Sequence, residues 1–84
     1  MPFLMILIVG MKNEENTINL QRLGAQVRVL RVKRSLTQVE LASKCGLDRN
    51  YIGMLERGER NPSYITLLKI AQGLGISLSV LLKF

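Results

Sequence analysis

The stretch GLDRNYIGMLERG, Gly46 to Gly58, concentrates side chains suited to reading a polar, anionic surface. On a helix advancing about 100° per residue, Asn50, Gly53, Met54 and Arg57 fall within about 100° of one another, with Arg49 at the edge. That face carries two guanidiniums, an amide and a missing side chain, and no acid. An arginine can bind guanine with two hydrogen bonds, and an asparagine can do the same to adenine. The positive end of the helix dipole lies at the same first turn and suits a phosphate. Gly53 costs about 1 kcal/mol against alanine inside a helix; its presence is consistent with the close approach of something bulky, such as a DNA backbone. The competing reading is a solvated face that tolerates a glycine.

The opposite side of this helix holds Tyr51, Ile52 and Leu55 and defines an inner face. Glu56 falls close to Ile52, where a carboxylate needs a partner. Arg31, near the end of the first helix, is the natural one, so a partly buried Arg31–Glu56 ion pair locking the third helix against the first is expected.

The elements that must position these residues are legible from caps and periodicity. Leu20, Leu23, Val27 and Leu30 repeat at helical spacing and mark a first helix ending near Arg34 or Ser35. Thr37 and Glu40 form an S/T-x-x-E capping box, with Leu36 and Leu41 as its hydrophobic staple. Gly46 supplies a left-handed stop. Asp48 then caps the third helix, with Leu47 and Ile52 as staple, and Gly58 ends it. Ser63 caps a fourth helix with an inner stripe of Leu67, Leu68, Ala71 and Leu74, closed by Gly75. Ser77 caps a short fifth one. Five short helices joined by tight turns make an all-α domain. The second and third, separated by a glycine-containing turn, form a helix-turn-helix pair whose second member can enter the DNA major groove.

Composition narrows the function. Twelve Lys and Arg against six acids give a net charge of +6 and a pI near 10.1, and residues 20–60 carry nine of the bases and four of the acids. Such an excess suggests a polyanionic partner. With one cysteine, Cys45, and no histidine, no internal disulfide forms and no zinc site is expected; Cys45 reads as a buried apolar residue. No paired carboxylates face a cleft and no phosphate loop is present, so neither an enzyme nor a cofactor is expected. The N-terminal run FLMILIV, Phe3 to Val9, is too short to span a membrane and lacks the basic start of a signal peptide. Its length and its Ile and Val content favour a strand or an extended arm. Residues 1–19 accordingly read as an apolar arm with a polar connector, and residues 20–84 as the helical domain.

The segment from Leu23 to Leu82 resembles the lambda-repressor-like, Cro and cI type helix-turn-helix domains, often called the Xre family. The matching residues are Leu36-Thr37-Gln38, Glu40-Leu41-Ala42, Gly46-Leu47, Tyr51-Ile52, Leu55-Glu56-Arg57-Gly58, Asn61-Pro62 and Leu67 through Ala71. Within that family, LDRNYIGMLERGERNPS looks most like the controller proteins of restriction–modification systems. The resemblance implies base contacts from Arg49, Asn50, Met54 and Arg60. It implies phosphate contacts from Thr37, Gln38, Tyr51, Arg57 and Asn61, although Tyr51 equally fits the rim of the core. Ser35 stands where the family often has glycine and Gly73 where alanine is common, so a less regular turn and fourth helix are expected.

The resulting expectation is a sequence-specific, double-stranded-DNA-binding transcriptional regulator, a homodimer on a pseudo-palindromic operator in a bacterial or phage-infected cytoplasm. No membrane and no small-molecule ligand are expected. Val80, Leu81 and Phe84 of the last helix are candidates for the two-fold interface, with Phe3, Met5 and Leu7 of the arm adding to it. The alternatives are a phage-type repressor, an antitoxin whose apolar arm binds a toxin, or an interaction adaptor that merely retains the fold.

Overall fold

The computed structural model describes the backbone of residues 2–84 and the side chains from residue 16 onward. It has five helices: α1 (Pro2–Lys33), α2 (Gln38–Cys45), α3 (Tyr51–Glu56), α4 (Tyr64–Leu74) and α5 (Leu78–Leu81). The described backbone holds no strand.

The largest departure from expectation is at the N-terminus. Residues 2–19, expected as an extended arm or strand with a polar connector, belong to α1 and run without a break into the helical domain. The physical reason is continuity. Between Phe3 and Leu20 there is no proline and no paired turn residues, and extending an existing helix is easy compared with starting one. Phe3, Met5 and Leu7, the proposed arm contacts, lie outside the residues whose side chains are described. Among the described residues, no helix is long and apolar enough to cross a membrane.

The core is drawn from all five helices. Leu23 and Val27 of α1, Leu41, Ala42 and Cys45 of α2, Ile52 and Leu55 of α3, Ile70, Ala71 and Leu74 of α4, and Leu81 of α5 are buried together. Ile70 was not in the expected stripe of α4. It is buried, whereas Leu67 and Leu68 are only half-buried. Leu81 is fully buried, so it is a core residue and cannot present its side chain to a second copy; the expectation that it lines a two-fold interface is corrected.

Four helices end in the same way. After α1, Leu36 N–H donates to Arg31 O and Ser35 N–H to Val32 O. Leu47 and Gly46, Glu59 and Gly58, and Ile76 and Gly75 repeat the pattern after α2, α3 and α4. This is the Schellman arrangement, which requires a left-handed residue just past the helix. Glycine occupies that place three times, and Ser35 occupies it once with φ 56°. The first turn is therefore as regular as the others, and the strain falls on Ser35 itself. The capping box of α2 is also complete. Thr37 Oγ1 accepts from Glu40 N–H at 3.0 Å, and Thr37 N–H donates to Glu40 Oε1 at 2.8 Å. Those Thr37 hydrogen bonds hold the Glu40 carboxyl below its ordinary range.

Two glycines set helix spacing. A Cβ on Gly24 would overlap Leu55 O and lie 2.6 Å from Glu56 O, so α1 crosses directly over the last turn of α3. A Cβ on Gly73 would overlap Cys45 Sγ. Gly73 does not disturb α4, which is unbroken to Leu74; it makes room for the buried thiol, whose pKa is raised by burial.

Ser35→Gly is expected to stabilise the protein by about 1 kcal/mol, by relieving a left-handed side chain. Gly24→Ala should destabilise it by about 3 kcal/mol, because backbone carbonyls cannot swing aside. Urea unfolding of both variants checks the pair.

Candidate nucleic-acid interface

The helix-turn-helix pair is held from behind by a polar cluster. Arg31 Nε donates to Glu56 Oε2 at 2.6 Å and Arg31 Nη2 to Glu56 Oε1 at 3.0 Å. The side chains are only 12% and 4% exposed. Arg31 Nη1 also donates to Leu36 O at 2.8 Å, tying in the turn that leads to α2. Hydrogen bonding to Glu56 raises the Arg31 pKa. Gln38 Nε2 donates to Glu56 Oε1 at 3.0 Å. Three elements, α1, α2 and α3, thus meet on one carboxylate.

In front of this cluster the chain turns into α3 earlier than the helix proper begins. Asp48 Oδ1 accepts from Asn50 N–H at 2.9 Å, and Tyr51 N–H donates to Asp48 O at 3.0 Å. Arg49 and Asn50 therefore sit on a capped turn ahead of Tyr51, and not in the regular helix as their periodicity suggested. Both are exposed. Met54 is half-buried, and Arg60 reaches back to it, with Nη2 3.5 Å from Met54 Sδ. Tyr51 packs against the core; burial raises its pKa, with the nearby charge of Arg60 opposing. The structure thus brings Tyr51, Met54 and Arg60 together beside the exposed pair Arg49 and Asn50. Thr37 is engaged in its capping box, and Asn61 is exposed beyond α3.

Two features of this face differ from the sequence expectation. The face was read as free of acids. Glu59, from the turn after α3, folds back onto Arg57: Arg57 Nε donates to Glu59 Oε2 at 2.8 Å and Nη2 to Oε1 at 3.2 Å. Both side chains remain more than half exposed, and the pairing raises the arginine's pKa and lowers the glutamate's. Helical periodicity cannot reveal such a contact, because the chain leaves the helix at Arg57. The second difference is Gly53. It was read as an open slot for a bulky partner, yet it is buried. The side chain of Gln38 lies over it, with Oε1 3.1 Å from where a Cβ would stand. Gly24 was missed altogether as a site-positioning residue; an isolated glycine inside the α1 periodicity was its only signal.

Comparison with known proteins identifies the family. The family model described as helix-turn-helix matches residues 27–81. The chain belongs to that family. It is 42% identical to the restriction–modification controller protein C.AhdI from Aeromonas hydrophila, covering 76% of this chain and 97% of that one, with a TM-score of 0.74. The control protein C.BamHI from Bacillus amyloliquefaciens is 42% identical over 62 residues, 73% of this chain and 76% of that protein. The immunity repressor protein of Bacillus phage phi105 is 43% identical over 58 residues, 69% of this chain but 40% of the repressor.

Arg31→Met alone should cost about 3–5 kcal/mol, since it leaves the Glu56 carboxylate buried without its cation. Adding Glu56→Leu should recover most of that loss, because an apolar pair of similar volume needs no charge partner. Thermal unfolding of the single and double variants measures both.

Proposed function

We propose that this protein is a sequence-specific, double-stranded-DNA-binding transcriptional regulator of the controller-protein type, acting as a homodimer on a pseudo-palindromic operator. The observation that carries the proposal is the exposed pair Arg49 and Asn50 on the capped turn entering α3. Behind that turn Ile52 and Leu55 are in the core and Glu56 is held by its cluster, so the two side chains are presented on an anchored support. Arg49 and Asn50 read base edges, with Met54 and Arg60 beside them. Gln38, Arg57, Tyr51, Thr37 and Asn61 face the flanking phosphates, which fix register without reading sequence. In this arrangement the Glu59 carboxylate occupies the fork of Arg57 that a phosphate takes over on binding. Exposed pairs of this kind are weak, so the exchange is easy.

A dimer sets two such turns about one helical repeat apart, roughly 34 Å. The C-terminal end of the chain supports the two-fold contact. Val80, Leu82 and Phe84 are 42%, 44% and 47% exposed. Gln26 Nε2 donates to Val80 O and Lys83 O, at 3.4 and 3.3 Å, and Arg22 stacks 5.7 Å from the Phe84 ring centre. These exposed apolar side chains supply surface that a two-fold contact, which needs one patch meeting its own copy, would bury. The likeness to the phage immunity repressor favours repression at a phage-type operator as the second reading; footprinting relative to the promoter separates it from controller activity.

Binding to duplexes selected from genomic fragments is expected to weaken linearly in log–log fashion with salt, by about 0.9 per phosphate neutralised. Arg49→Ala should cost about 1–3 kcal/mol and relax preference at one base pair. Arg57→Ala should weaken all duplexes alike and reduce the salt slope by about one. Glu59→Gln should tighten binding to every duplex. An affinity indifferent to salt overturns the proposal.

A further inference from the structure

Gln38 belongs to α2, yet its carboxamide lies across α3. Its Nε2 is held by Glu56 Oε1 at 3.0 Å, and that carboxylate is itself fixed by two hydrogen bonds from Arg31. On its flank the carboxamide rests on bare backbone. Gln38 Oε1 is 3.1 Å, and Arg57 Nη1 3.4 Å, from the point that a Cβ on Gly53 would occupy. Gly53 lies in the middle of a six-residue helix, where alanine is the better helix former. Nothing about its backbone demands a glycine, since its φ is not positive.

The space itself is therefore the reason for the glycine. A glutamine has three side-chain torsions and loses much rotamer freedom when it is fixed. Anchored at one end and seated over Gly53, the Gln38 carboxamide is already ordered before any partner arrives. One of its two amide hydrogens is used by Glu56 and the other remains for an acceptor.

We infer that Gly53 is a positioning residue for Gln38: the absent side chain lets the Glu56-anchored carboxamide lie flat on α3, pre-set to donate to a phosphate oxygen. Gly53 acts through Gln38 and is not a slot for the DNA backbone. The inference rests on the DNA-binding function proposed above.

Gly53→Ala tests it, because stability and affinity should move in opposite directions. A methyl at residue 53 meets only the ends of two flexible side chains, so the variant folds, and its melting temperature should equal or exceed that of the wild type. Its affinity for a duplex selected from a random-sequence library should fall roughly 3- to 10-fold, the cost of ordering one long side chain on binding. In a Gln38→Ala background the same substitution should cause no further loss. If Gly53→Ala binds like the wild type, the inference is wrong. If it weakens the Gln38→Ala protein by the same factor, the methyl collides with DNA directly and the inference is again wrong, while DNA binding stands. If the wild type selects no duplex and binds none at low salt, the DNA-binding function fails and the inference fails with it.

Discussion

One carboxylate organises the helix-turn-helix half of this molecule. Glu56 is almost fully enclosed, and an enclosed carboxylate is tolerable only when its oxygens are hydrogen-bonded and its charge is matched. Arg31 meets both needs with two nitrogens and spends a third on Leu36 O. Gln38 completes the set. Because the donors come from α1 and α2 while the acceptor belongs to α3, satisfying one group fixes three helices relative to one another. The same site could be filled by apolar side chains with most of the stability kept. Such a substitute would hold the helices by packing alone and would leave Gln38 without its anchor.

The geometry around that carboxylate follows from missing side chains as much as from those present. Gly24 lets α1 descend onto the carbonyls of Leu55 and Glu56, which brings Arg31 within reach. Gly73 does the equivalent between α4 and α2, seating the Cys45 thiol. Helix propensity argues against glycine at both positions, by about 1 kcal/mol each. Close approach wins because a Cβ at Gly24 would strike backbone atoms that have nowhere to move.

How much of this was legible in the sequence depends on the range of the interaction. Caps and stops are local. Thr37 with Glu40, Ser63, Ser77, Gly46, Gly58 and Gly75 stand where their chemistry places them. The pairing of Arg31 with Glu56 was also inferable, because a carboxylate rotated onto an apolar face names its own need. What could not be read were contacts between residues whose relation is set by the fold. Nothing local says that Gln38 of α2 lies over Gly53 of α3, so that glycine looked like a vacancy. Glu59 escaped because periodicity extended α3 beyond the point where the chain turns. The N-terminal run failed differently: its seven apolar residues, short in span and carrying Ile and Val, favoured a strand over a helix, whereas what decides is the continuity of the chain into the helix that follows.

The division of labour within α3 has a consequence for how such a protein can change. A helix of six residues has no stability of its own; it is held by Ile52 and Leu55 in the core, by Glu56 behind and by the Asp48 turn ahead. Arg49 and Asn50 contribute to none of these anchors through their side chains and stand exposed. Substitution there should have little effect on folding, since surface changes away from caps and cores are usually worth less than half a kcal/mol. Gln38 is different, because its amide joins the carboxylate cluster. Under the base-reading role proposed for Arg49 and Asn50, sequence preference is therefore free to drift there, while the phosphate register proposed for Gln38 is tied to the cluster that holds the helices together.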